Sequence, residues 1–188
     1  MLAHRLIAAA ALGAATLGLA ACAPTYEGVT PAEFAATTCG LWDETAKQDA
    51  ALEEVPFEPL FDSEPGDRTD QLDRVIEVSE AYLAHVESAR AASAEAVPAV
   101  KDGEAIAQLF VDYYEERLAI AEPLVEEFRS TETEIFANEI SFAAGDMFFF
   151  FQSGLDFPFS DVEDQDLIEA IGAEPTCADY VEVSQYGF

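Results

Sequence analysis

Apolar residues recur along most of this chain at the three- and four-residue spacing of one helix face, and Pro- and Gly-containing polar stretches separate the runs. Thr30-Pro31-Ala32-Glu33 places a Thr at the cap, a Pro at the first helical position and a Glu where a capping box needs it. The spacing predicts a helix from there to about residue 51, with Phe34, Cys39, Leu41 and Trp42 inward. Pro56, Pro59, Pro65 and Gly66 mark 55–67 as a loop. A second helix is predicted over 69–97, with Leu72, Val75, Ile76, Ser79, Leu83, Val86 and Arg90 in one stripe, and it stops before Pro98.

A third helix is predicted from near Asp102, with Ile106, Leu109, Phe110, Tyr113, Ile120, Ala121, Leu124 and Phe128 on one face and Pro123 as a kink or break. Thr131-Glu132-Thr133-Glu134 opens a fourth over 131–152, with Ile135, Phe142, Phe149 and Phe150 together. Gly154 to Ser160 reads as a loop, and a short helix capped by Ser160 or Asp161 ends near Gly172 with Leu167, Ile168 and Ile171 inward. No strand alternation persists. The expected fold is all-α: a helical bundle of about four longer helices plus short ones.

The first residues follow a different pattern. A short basic start (His4, Arg5) precedes an uncharged, mostly apolar run over 6–21 that ends in small residues, which reads as a targeting segment. Leu19-Ala20-Ala21-Cys22 resembles the lipobox of bacterial lipoproteins. That resemblance implies a diacylglyceryl group on the Cys22 thiol, cleavage before Cys22 and further acylation of the new terminus. Two or three acyl chains give stable anchoring where one is marginal. The expected organisation is therefore a signal peptide over 1–21, a lipidated tether over 22–29 and an acidic helical domain over 30–188, on the extracytoplasmic side of the cell membrane. The resemblance covers residues 1–22 alone, and no family is apparent for the rest.

Charge narrows the partners. The chain has 38 acidic and 8 basic side chains, a net charge of −30. Removing residues 1–21 takes away Arg5 and no acid, so the mature domain stands at −31. Such a domain repels nucleic acid and anionic headgroups and needs its acyl chains to stay at a membrane. In an oxidising compartment the two remaining cysteines, Cys39 and Cys177, are expected to form a disulfide that staples the two ends of the domain.

Candidate chemistry sits on two helices. At 100° per residue, Glu139 and Asp146 fall within about 40° of Ile135, on the apolar stripe of the fourth helix. Arg117 falls in the middle of the third helix's apolar face. Buried charges seek partners. Arg117 is thus expected to pair with Asp146 or Glu139 inside the bundle, with Tyr113 beside them, lining a small polar pocket for a ligand. The competing reading is a purely structural ion pair. Glu139 and Asp146 stand about 10 Å apart along a helix axis, too far to share one calcium ion. The acidic clusters Asp62, Glu64, Asp67, Asp70 and Asp161, Glu163, Asp164, Asp166 lack the EF-hand Gly and Glu positions. No metal and no cofactor is expected.

Phe148 to Phe151 cannot share one helix face, and Phe148 and Phe151 are expected under the Phe157-Pro158-Phe159 loop or as an exposed patch. His85 falls on the polar side of the second helix and is expected to be exposed and idle. The chain has no Gly-x-Ser-x-Gly, His-Glu-x-x-His, Cys-x-x-Cys or phosphate-binding Gly-rich loop. These readings favour a binding or interaction module whose partner is an envelope protein or small ligand. The rivals are an envelope enzyme using Glu139 and Asp146 with Arg117, and a structural acidic surface protein.

Overall fold

The computed structural model describes residues 25–55, 65–132 and 157–177. Among these residues, three long helices form the frame: α1 (Pro31–Glu53), α2 (Pro65–Glu95) and α3 (Gly103–Ser130). A single turn of 3₁₀ helix (Pro158–Asp161), a short helix α4 (Gln165–Ala173) and a second 3₁₀ turn (Pro175–Cys177) complete it. The fold is all-α; of the expected fourth long helix over 131–152, Thr131 and Glu132 are not helical, Thr131 being the C-cap of α3, and residues 133–152 lie outside the described residues.

Local signals set the helix ends. Thr30 and Glu33 form the capping box: the Thr30 hydroxyl accepts from the Glu33 N–H at 3.3 Å, and the Glu33 carboxylate accepts from the Thr30 N–H at 2.9 Å. These bonds hold the Glu33 carboxyl below its ordinary pKa, the Thr30 backbone bond most of all. α2 begins at Pro65, four residues before the expected start, because Pro is well suited to a first helical turn. Asp102 takes a left-handed conformation (φ 59°) to turn the chain into α3, and a Cβ on the next residue, Gly103, would collide with the Pro98 carbonyl oxygen. α4 is capped by Asp164, whose carboxylate accepts from the Leu167 N–H at 3.2 Å, rather than by Ser160 or Asp161.

Pro123 neither breaks α3 nor ends it; the helix runs through it. The carbonyl that loses its donor belongs to Ala119, and both residues are exposed, so water can satisfy that group.

Cross-helix contacts give the register. Thr45 meets His85, and Arg90 and Arg129 pair with Glu115 and Glu80, so α2 runs antiparallel to both neighbours. Asp49 meets Arg117 and Thr45 meets Tyr114, so α1 and α3 run parallel. The core between them contains Phe34, Leu52, Val75, Tyr82, Val86, Phe110, Tyr114, Ala121, Val125 and Phe128. Each large apolar side chain buried there contributes roughly 1.5–3 kcal/mol relative to exposure. Phe110 is the hub of an aromatic cluster, edge-on to Phe34 and Phe157 at 5.3 Å between centroids and to Phe159 at 5.8 Å. Phe157 and Phe159 are thus core residues, while Phe148–Phe151 fall outside the described residues.

The disulfide Cys39–Cys177 is formed, with a Cα–Cα distance of 5.3 Å, and ties the middle of α1 to the end of the second 3₁₀ turn. α4 packs on α1 beside it. Its inward residues are Leu167 and Ile171; Ile168, expected inward, is 43% exposed.

Candidate functional site

Asp49 lies on the same stripe of α1 as Phe34, Thr38, Thr45 and Leu52, within about 60° at 100° per residue. It faces Arg117 on α3, whose side chain is 3% exposed. One Arg117 terminal nitrogen (Nη1) donates to both Asp49 carboxylate oxygens, at 3.0 and 3.3 Å, and to the Tyr82 hydroxyl oxygen at 2.6 Å. The guanidinium carbon stands 4.8 Å from the Tyr113 ring centroid, a cation–π arrangement made stronger by burial. Burial disfavours the charge on Arg117, but Tyr113, Tyr82 and Asp49 outweigh it, and its pKa is raised. The residue is a permanent interior cation held by all three long helices.

A second set of bonds adjoins the first. The Thr45 hydroxyl donates to the Leu41 carbonyl at 2.7 Å, and its oxygen lies 2.9 Å from His85 Nε2 and 3.3 Å from the Tyr114 hydroxyl. With Thr45's one proton directed at Leu41, Nε2 is the donor to Thr45. Desolvation lowers the His85 pKa and Arg117 lowers it further, against the opposing pull of Glu44 and Asp49. His85 is therefore neutral at pH 7. Burial raises the pKa of Tyr82 and Tyr113, and pushes Tyr114 up to about 12, so all three phenols stay protonated.

Glu139 and Asp146, the expected partners of Arg117, lie outside the described residues; among the described ones its carboxylate partner is Asp49. Tyr113 is buried beside Arg117, against Tyr114 and Phe157 at centroid distances of 5.0 and 4.8 Å. His85 corrects an expectation: it is half-buried and bonded to Thr45 rather than exposed and idle. The cause is the buried stripe of α2. It is centred near Tyr82, about 80° round from the Leu72–Arg90 line, which carries His85 from the polar side to the flank and leaves Arg90 exposed. Asp49, Tyr82, Tyr114 and Thr45 were not anticipated, although the helical count on α1 places Asp49 and Thr45 with core residues.

The network reaches water at its edge, where Asp49 is 29% exposed and His85 half-buried. Its chemistry is that of a neutralised interior cation with phenol and imidazole groups around it. It links α1, α2 and α3 at one level of the bundle. Among the described residues no group of three His, Cys, Asp or Glu side chains is placed to hold a metal ion, and no helix is long and apolar enough to cross a membrane. Comparison with protein-family models, curated proteins and solved structures finds no match.

Proposed function

We propose that this chain is a lipid-anchored extracytoplasmic lipoprotein whose acidic helical domain acts as a binding or interaction module in the cell envelope. The observation that carries the reading is Leu19-Ala20-Ala21-Cys22, placed after a basic start and an apolar run. The Cys39–Cys177 disulfide supports it, because such bonds persist in oxidising compartments and are rare in the cytosol. The interaction role draws on the acidic surface, with a mature charge of −31, and on a bundle locked by an interior ion pair. A surface of that sign favours basic proteins, cationic or neutral ligands.

Mass spectrometry of the N-terminal peptide tests the anchor. The expected species begins at Cys22 and carries the diacylglyceryl mass, and Cys22→Ala moves the protein out of the membrane fraction. A bare thiol at Cys22, or an intact Met1 start in the cytosol, would overturn the reading.

A further inference from the structure

The segment that joins Cys22 to the bundle is docked before it reaches α1. Val29 forms a parallel bridge with Pro98: its N–H donates to the Val97 carbonyl at 2.8 Å, and its carbonyl accepts from the Ala99 N–H at 2.7 Å. Gly28 enters this bridge at φ 143°, and a Cβ there would collide with the Val97 carbonyl oxygen, so the path requires glycine. Thr30 then caps α1 at once. The chain from Gly28 to Pro31 is held on both sides, and Tyr26 and Glu27 continue along a cleft of about 330 Å³ beside Val97, Pro98 and Asp102.

Covalent reach then limits where the domain can sit. Val29 lies seven residue steps after Cys22, and a fully extended chain of that length spans at most about 25 Å. The antiparallel frame gathers the start of α1, the end of α2 and the start of α3 at this same end. The opposite end, at residues 53, 65 and 130, lies a whole helix away, and the 28 residues of α3 measure about 42 Å.

We infer that the α2–α3 turn, residues 96–102, is the membrane-facing end of the domain, held within about 25 Å of the bilayer surface by the docked Gly28–Val29 strap. The inference rests on lipidation at Cys22. The surface it faces is a lipid bilayer. Glu27, Glu95, Asp102 and Glu104 are exposed at this end and outnumber the exposed Lys101, so the covalent strap brings it to the membrane and charge does not. The same repulsion disfavours a domain of this charge lying flat on anionic headgroups. The far end is thereby presented to partners away from the membrane.

The test uses the full-length lipidated protein in phosphatidylethanolamine/phosphatidylglycerol vesicles that carry a headgroup-labelled acceptor. A donor dye is attached at Lys101→Cys or at Ser130→Cys, both exposed positions at opposite ends of α3. Energy transfer from position 101 is expected to exceed that from position 130 by about five-fold or more, given the helix length between them. Inserting about ten Gly/Ser residues after Pro24 lengthens the reach and should lower transfer from position 101. Gly28→Val, which cannot make the bridge, should bring the two positions to within about two-fold of each other. A lipidated Cys22 with equal transfer from both ends of the unmodified strap overturns the orientation alone. So does a Gly28→Val protein that keeps the full difference. A bare thiol at Cys22, read by mass in the same samples, instead overturns the anchoring on which the inference rests.

Discussion

The interior pair of Arg117 and Asp49 makes an asymmetric demand on stability. Arg117→Met keeps most of the side chain's volume and removes the charge. Asp49, 29% exposed, retains access to water, while Tyr82 loses the donor at 2.6 Å. Asp49→Asn does the reverse, removing the Asp49 charge from beside a guanidinium that is 3% exposed. Two unit charges about 4 Å apart attract by about 4 kcal/mol at an effective dielectric constant near 20. Exposure of Asp49 screens part of that, which places the coupling between the ~0.2–1 kcal/mol of surface pairs and the ~3–5 kcal/mol lost when a fully buried pair is broken. We therefore expect Arg117→Met to cost about 2 kcal/mol and Asp49→Asn about 3 kcal/mol.

A double-mutant cycle separates the pair from its surroundings. Urea unfolding of the oxidised protein gives each free energy, and the double variant should cost about 2 kcal/mol less than the sum of the singles. Additivity within about 0.5 kcal/mol would refute the argument, since it would mean the two charges do not sense each other. An Arg117→Met cost equal to or above that of Asp49→Asn would refute the asymmetry, because the more buried charge would then be the cheaper one to orphan.

Reducing Cys39–Cys177, or replacing both by Ala, should lower stability by about 4–5 kcal/mol in the chain-entropy account of a loop with a sequence separation of 138; urea titration with and without reductant checks it, and an unchanged midpoint would contradict it. Because its folded pKa lies below the ordinary value of 6.5, His85 binds a proton more readily in the unfolded chain. The stability it contributes is present above about pH 6.5 and is lost as pH falls through that value toward the folded pKa. His85→Gln should therefore flatten the fall in stability just below pH 6.5, as seen by comparing the two proteins' pH profiles; superimposable slopes would contradict it. Added NaCl should raise the melting temperature by screening the self-repulsion of a chain at −30, and calorimetry across a salt series showing a fall would count against this.

Local sequence signals located the helices because they are statements about one chain segment at a time. The capping box at Thr30, the stop before Pro98 and the turn at Asp102 each act within a few residues, and the helices begin and end near them. The 3.6-residue period was legible too, but it gives the direction of an apolar stripe only as finely as the apolar residues define it. On α2 the count weighted Ile76, Leu83 and Arg90, while the packed face is centred on Tyr82, with Ala89 and Ser93 beside it. Small residues and a tyrosine mark that face weakly on any hydropathy count, because their burial depends on close approach of the neighbouring helices and on a partner for the phenol. The consequence was concentrated at His85, which stands on the flank that this rotation turns inward.

The charged site shows the same boundary from the other side. That Arg117 would fall on an apolar face follows from α3 alone. Which carboxylate meets it depends on the axial register of α1 against α3, a property of two helices together. Asp49, near the end of α1, shares a stripe with Phe34 and Leu52, but the count on α1 alone does not say which residue of another helix it meets. The parallel alignment of α1 and α3 sets that end beside the middle of α3. One-dimensional periodicity can thus nominate a buried charge; the partner is chosen by how far each helix slides along the other, and in this bundle that offset is fixed at one end by the capped start of α1 bridged to the α2–α3 turn. The strap at Val29 and the ion pair at Asp49 therefore restrain the same degree of freedom, so loosening the strap should weaken the pair without touching either charged residue.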